Sequence, residues 1–120
     1  MSHPAKSVFA FGIYLVGLGA ILVVTPNTLF ALFGLPGTSE VWVRVVGMSV
    51  LLLAFYYINA GRKELTDFFP WTVYARSSVI VFFIAFVLLG FVSPILILFG
   101  VMDLLGAVWT GLALRSPRAA

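Results

Sequence analysis

The sequence predicts an all-α integral membrane protein, a bundle of four transmembrane helices with both termini on the cytoplasmic side. Three observations predict it. Hydrophobic residues make up 62% of the 120 residues and charged residues only 9%, and the mean hydropathy is +1.18; a soluble domain of this length needs more polar surface to cover its core. The polar residues fall in short clusters between apolar runs long enough to cross a hydrocarbon layer about 30 Å thick. Once those runs are laid across a bilayer, the basic residues fall mostly on one side of it. Residues 1–120 read as a single transmembrane domain.

The first span is expected from about Val8 to Val24, after Lys6. A basic start before an apolar run also opens a secretory signal. This run is long for one, however, and no small-x-small cleavage site with a polar mature chain follows. A short helix is expected over about 26–33: Thr25 can cap it, Pro26 suits its first position and Gly34 can end it. Its apolar residues, Leu29, Phe30, Leu32 and Phe33, are too few to span, which places it in the outer interface. Leu35-Pro36-Gly37-Thr38 then turns the chain back.

The second span is expected from about Val41 to Gly61, the third from about Thr72 to Gly90 and the fourth from about Ile95 to Leu114. Arg62, Lys63, Glu64 and Asp67 make the connection between the second and third spans the one clearly polar loop. Phe91-Val92-Ser93-Pro94 is so tight that the third and fourth spans must be antiparallel neighbours.

Orientation follows from the basic residues. With the N-terminus inside, Lys6, Arg62, Lys63, Arg76, Arg115 and Arg118 are cytoplasmic and only Arg44 lies near the outer face. The inverted arrangement reverses that tally. Trp42, Trp71, Tyr74 and Trp109 fall near span ends, where aromatic belts sit. The expected location is a bacterial inner membrane.

Composition excludes several function classes. The formal charge of +3 comes from only seven Lys and Arg, mostly at span ends, where they act as orientation signals and meet anionic headgroups. No basic stripe with interleaved aromatics points to nucleic acid. Cysteine is absent and His3 is the only histidine. Disulfide chemistry, thiolate metal sites, iron–sulfur clusters and bis-histidine haem therefore have no ligands within one chain. Membrane thiol oxidoreductases and mercury transporters fall with the cysteines. The first span has no charge between Lys6 and Glu40, unlike the glutamate-bearing first helix of small multidrug antiporters. No cofactor, metal site or catalytic residue is expected.

Asp103 is the most informative residue. A carboxyl at mid-helix costs about 2.5–3.5 kcal/mol on insertion scales. The fourth span holds eleven Leu, Ile, Val or Phe residues, each contributing about −0.3 to −0.6 kcal/mol on the same scale, so it inserts regardless. Gly100, Asp103, Ala107 and Gly111 recur at three- and four-residue spacing as a small, polar stripe, which directs Asp103 inward. Ile95, Leu98, Leu105 and Leu112 make up the face left for lipid. Gly47, Ala54 and Gly61, seven apart, give the second span a close-packing face shared roughly with Arg44.

Two readings of Asp103 stand side by side. In one, an arginine pairs with it to tie helices together while the other arginine snorkels to headgroups. In the other, Asp103 with Arg44 or Arg76 borders a polar pocket, with Asn59, Tyr56, Tyr57, Gly100 and Ala107 as further lining. Arg44 is the expected partner. Depths counted from the span ends leave it the smaller gap to Asp103, and Arg76 has a competing role at cytoplasmic headgroups.

With these residues in view, the chain resembles the DoxX-like group of small four-helix bacterial membrane proteins. Arg44-Val-Val-Gly47, the Leu-rich stretch into Tyr56-Tyr57-x-x-Ala60, and Tyr74-Ala-Arg76 carry the resemblance, which covers Trp42 to Leu114. It implies the four-helix architecture, and an association with membrane redox enzymes whose chemistry has no recognisable residues here. The expected function is a non-enzymatic accessory or scaffold subunit, partnered by lipid and by another membrane protein or a second copy. The alternative is a binder or carrier of a small amphiphile, lipid or quinone, with an enzyme subunit as the remaining possibility.

Overall fold

A computed structural model describes residues 1–39, 41–91 and 94–115. Glu40, Val92, Ser93 and residues 116–120 lie outside the described residues, and with them the middle of the tight Phe91–Pro94 connection and the charge of Arg118. Every regular element among the described residues is a helix: α1 (His3–Val24), α2 (Pro26–Leu32), α3 (Val41–Arg62), α4 (Phe68–Leu88) and α5 (Leu96–Arg115). α1, α3, α4 and α5 are 20–22 residues long and apolar enough to cross a membrane. At 1.5 Å of rise per residue each is about 30 Å or more in length.

α1 begins five residues before the apolar run does. Ser2 is its cap: the Ser2 hydroxyl accepts the Ala5 N–H at 3.2 Å, and Pro4 sits in the first turn, where its missing N–H is harmless. α4 begins at Phe68 rather than Thr72 for a related reason. Pro70 is its third residue, inside the first turn, whose N–H groups have no intrahelical partner anyway. Pro70 falls before the third span as expected from Thr72, and the helix absorbs it.

Three helices end in the same device. At the end of α2, Leu35 N–H reaches the Phe30 carbonyl at 2.8 Å and Gly34 N–H reaches Ala31 at 3.1 Å. At the end of α4, Phe91 N–H reaches Phe86 at 2.9 Å and Gly90 N–H reaches Val87 at 3.0 Å. These are Schellman endings, which need a residue in the left-handed region. Gly34 and Gly90 supply it at φ +72° and +78°. The hydrophobic contact that accompanies such an ending is present after α4, where the Phe86 and Phe91 rings lie 6.4 Å apart. Thr25 precedes α2 as expected, but its hydroxyl pairs with the Thr28 hydroxyl rather than capping a backbone N–H.

The chain divides into two compact units, one of Phe9–Asn59 and one of Met1–Val8 with the chain from Ala60 onward. In the first, α1 and α3 run antiparallel and meet through glycines. A Cβ on Gly19 would come within 3.0 Å of the Gly47 carbonyl, and one on Gly47 within 2.9 Å of the Val23 nitrogen. Gly12 packs on Tyr57 and Ile58. Gly19 and Gly47 thus face each other, and small residues there let the two backbones approach closely. Asn27 Oδ1 accepts the Thr38 N–H at 2.8 Å, which holds the returning chain against α2.

In the second unit α4 and α5 run antiparallel. Gly100 lies against Ile80 and Phe83, and Gly111 faces Val73. The buried residues of α5 are Gly100, Gly106, Ala107, Thr110 and Ala113. Asp103 and Gly111 are half-buried, while Leu98, Leu105 and Leu112 are exposed.

Candidate functional site

The buried polar side chains of the second unit gather at one end, around Arg76. The α4 start at Phe68 puts Arg76 eight residues into the helix, about 12 Å from its beginning. That is twice the depth expected for a start at Thr72. Arg76 is only 2% exposed, far from the snorkelling headgroup contact. Its Nη2 donates to Thr110 Oγ1 at 2.7 Å and to Thr72 Oγ1 at 2.9 Å, and its Nε donates to the Thr72 carbonyl at 3.2 Å.

Hydroxyl protons fix the direction of the rest. The Thr72 hydroxyl donates to the Phe69 carbonyl at 2.7 Å, so it accepts from Arg76. The Ser7 hydroxyl donates to the Pro4 carbonyl at 2.7 Å. In the 2.6 Å bond between Ser7 and Thr110, Thr110 is therefore the donor. A single directed chain results, from the guanidinium through Thr110 and Ser7 to the backbone of α1. Ser7, Thr72 and Thr110 are all buried. A low-dielectric surrounding strengthens such a network and makes any gap in it costly.

Asp103 lies on α5 seven residues before Thr110, and the cation whose charge acts on its carboxyl is Arg76. Of the two arginines weighed as its partner, Arg44 was expected. Arg44 is exposed, and its Nη1 donates to the carbonyls of Val23 and Val24, the last two residues of α1. A guanidinium there satisfies orphan carbonyls and complements the negative end of the helix dipole. The expected start of α4 at Thr72 understates the depth of Arg76 by about 6 Å.

Of the other expected lining residues, Gly100 and Ala107 belong to the second unit and Tyr56, Tyr57 and Asn59 to the first. Gly100 and Ala107 are buried on α5, Gly100 as a contact to α4. Tyr57 is buried with its ring 5.7 Å from that of Phe11. Asn59 turns its amide back on its own helix and donates to the Phe55 carbonyl at 2.8 Å. Tyr56 is 61% exposed, which does not suit an interior lining.

Sequence reasoning missed a second polar junction at the same end of this unit. Glu64 ends α3 in the left-handed region at φ +54°, with Leu65 N–H on the Ala60 carbonyl at 3.0 Å. Here the Schellman position belongs to a glutamate rather than a glycine, a choice that costs about 1 kcal/mol. The carboxylate is what the position gains. It accepts both the backbone N–H of Ser2 and, at 2.7 Å, the Ser2 hydroxyl. In a capping box the third helical residue supplies that acceptor. α1 has Ala5 there, and Glu64 supplies the acceptor from 62 residues away. The Ser2 N–H, and then its hydroxyl, hold the Glu64 carboxyl below the usual glutamate value.

Chemically, the arrangement ties helices. The Arg76 chain joins α4, α5 and the start of α1, and the Glu64 clamp joins the end of α3 to that same start. No family model, curated protein or solved structure matches the chain.

Proposed function

We propose that the protein is a small multi-pass subunit of a bacterial inner membrane, acting as an accessory or scaffold component of a membrane complex. The observation that carries this reading is the use made of Arg76. A buried cation in a membrane span is a functional group by default, and this one is engaged by the chain's own hydroxyls and carbonyls. Large apolar side chains meanwhile remain exposed on all four long helices, suited to lipid and to neighbouring spans. The likeness to the DoxX-like group belongs to the same proposal and contributes architecture alone.

A second reading is favoured by one observation. Asp103 is half-buried at mid-helix, within the field of Arg76. A lipid or quinone headgroup meeting it there makes the protein an amphiphile binder. Mass spectrometry of the chain purified natively with its lipids separates the two. A stoichiometric protein partner that survives Asp103→Asn supports the scaffold. A retained amphiphile lost in Asp103→Asn supports the binder. A chain that emerges with neither overturns both.

Orientation is part of the proposal, with α2 in the outer interface and both termini cytoplasmic. Lys6, Arg62, Lys63 and Arg115 are all exposed and sit at the end of the second unit where α1 and α4 begin and α3 and α5 finish. Reporter fusions within 62–69 are expected to read as cytoplasmic and one at Gly37 as outside. An outside signal from the 62–69 connection rules the topology out.

A further inference from the structure

Not every charge at that end of the second unit is explained by the helix that carries it. Four helix ends are drawn together there by Ser2 on Glu64, Ser7 on Thr110 and Arg76 on Thr110. Arg62 and Arg115 fall in the last turns of α3 and α5, where a cation complements the helix dipole. Lys6 does the opposite. It stands four residues into α1, near the positive end of the dipole, where its charge is unfavourable, and α1 has no acidic residue in its first turn. Lys63 follows the end of α3.

Among the described side chains, the same end sets two carboxylates, Glu64 and Asp67, against these four exposed cations. Glu64 is engaged by Ser2, and Asp67 precedes α4 without making a side-chain cap bond. The Met1 ammonium apart, these four cations less two carboxylates leave a formal +2 on the rim, above the buried Arg76. Trp71 and Tyr74, on the first two turns of α4, are exposed, and aromatic rings of this kind favour headgroup depth.

We propose that this end is a binding surface for anionic phospholipid, its phosphates held by Lys6, Arg62, Lys63 and Arg115. The surface serves whether the chain is a scaffold or an amphiphile binder, because it uses none of the groups around Asp103. The lipid compensates the unfavourable placement of Lys6 and supplies the countercharge that the rim lacks.

The full chain in neutral detergent, titrated with phosphatidylglycerol or phosphatidylcholine and read by native mass spectrometry, tests this. Phosphatidylglycerol is expected to be retained in preference, and more weakly as salt rises. Lys6→Gln, Arg62→Gln, Lys63→Gln and Arg115→Gln are each expected to weaken its binding about fivefold, leaving phosphatidylcholine unaffected. Asp67→Asn removes a carboxylate that makes no cap bond and is expected to tighten phosphatidylglycerol binding. This variant keeps the test decisive even where a neutralised one fails to fold. Equal retention of the two lipids, or a phosphatidylglycerol affinity indifferent to Asp67→Asn and to salt, overturns the proposal.

Discussion

Replacing Arg76 with leucine is expected to destabilise the folded chain by about 3–5 kcal/mol, the range found when one member of a buried charged network is removed. Several losses contribute. Thr110 loses a charge-assisted donor and Thr72 loses two bonds, each worth about 1.5–3 kcal/mol when one partner is charged. Asp103 loses the nearby charge of Arg76. Arg76→Lys is expected to recover little. A single ammonium cannot reach the Thr72 carbonyl and bridge two hydroxyls at once, as the planar guanidinium does. Unfolding of the purified protein in mixed micelles, followed by helical signal, measures the loss. Combining Arg76→Leu with Asp103→Leu is expected to be milder than Arg76→Leu alone, because the second change removes the uncompensated carboxyl. Strictly additive losses would show that Arg76 and Asp103 are energetically independent.

This prediction differs from what the sequence alone supports, and the reason is local. Apolar runs marked four spans because lipid demands them, and helix spacing put Gly100 and Ala107 on one stripe of α5. Both signals are properties of short segments. The depth of Arg76 is set by where α4 begins, and that depends on whether a proline is read as a barrier or as a first-turn residue. Pro70 permits either reading, and in the fold the helix runs through it from Phe68. Four residues in the helix start amount to about 6 Å in the depth of Arg76.

The polar partners divide in the same way. Thr72 stands four residues before Arg76 on one helix, a spacing at which side chains meet. Thr72 opens the expected third span, so the pair was legible in principle. Thr110, seven residues along α5 from Asp103, was visible as one of the few polar side chains at depth. Its contact with Ser7 spans 103 positions, and no local pattern announces it. Ser2 and Glu64 are the extreme case. Ser2-x-x-Ala5 is an incomplete capping box by sequence, and Glu64 looks like an ordinary loop charge. Their joint use emerges only when the chain has folded far enough to bring the end of α3 to the start of α1.

The glycine pattern on α3 was legible as spacing, and its consequence is large. Gly47→Val is expected to destabilise the α1–α3 pair by at least about 1–3 kcal/mol, the usual range for overpacking a tight contact. A Cβ at position 47 would lie 2.7 Å from Leu22 Cβ and 2.9 Å from both Val23 Cγ2 and the Val23 nitrogen. Val23 Cγ2 can rotate away, but Leu22 Cβ and the Val23 nitrogen are fixed to the α1 backbone. Relief therefore requires the helices to separate. Separation also moves the Val23 carbonyl, to which Arg44 donates, so the helix-end contact weakens along with the packing. Gly17 provides the contrast on the same pair of helices. A Cβ there meets nothing within 4 Å, and alanine is the better helix former by about 1 kcal/mol. Gly17→Ala is expected to leave stability unchanged or raise it by up to about that amount. Micelle unfolding of the two variants side by side checks the claim. Should Gly47→Val prove as stable as Gly17→Ala, the close approach of α1 and α3 at Gly47 is not what holds the pair together.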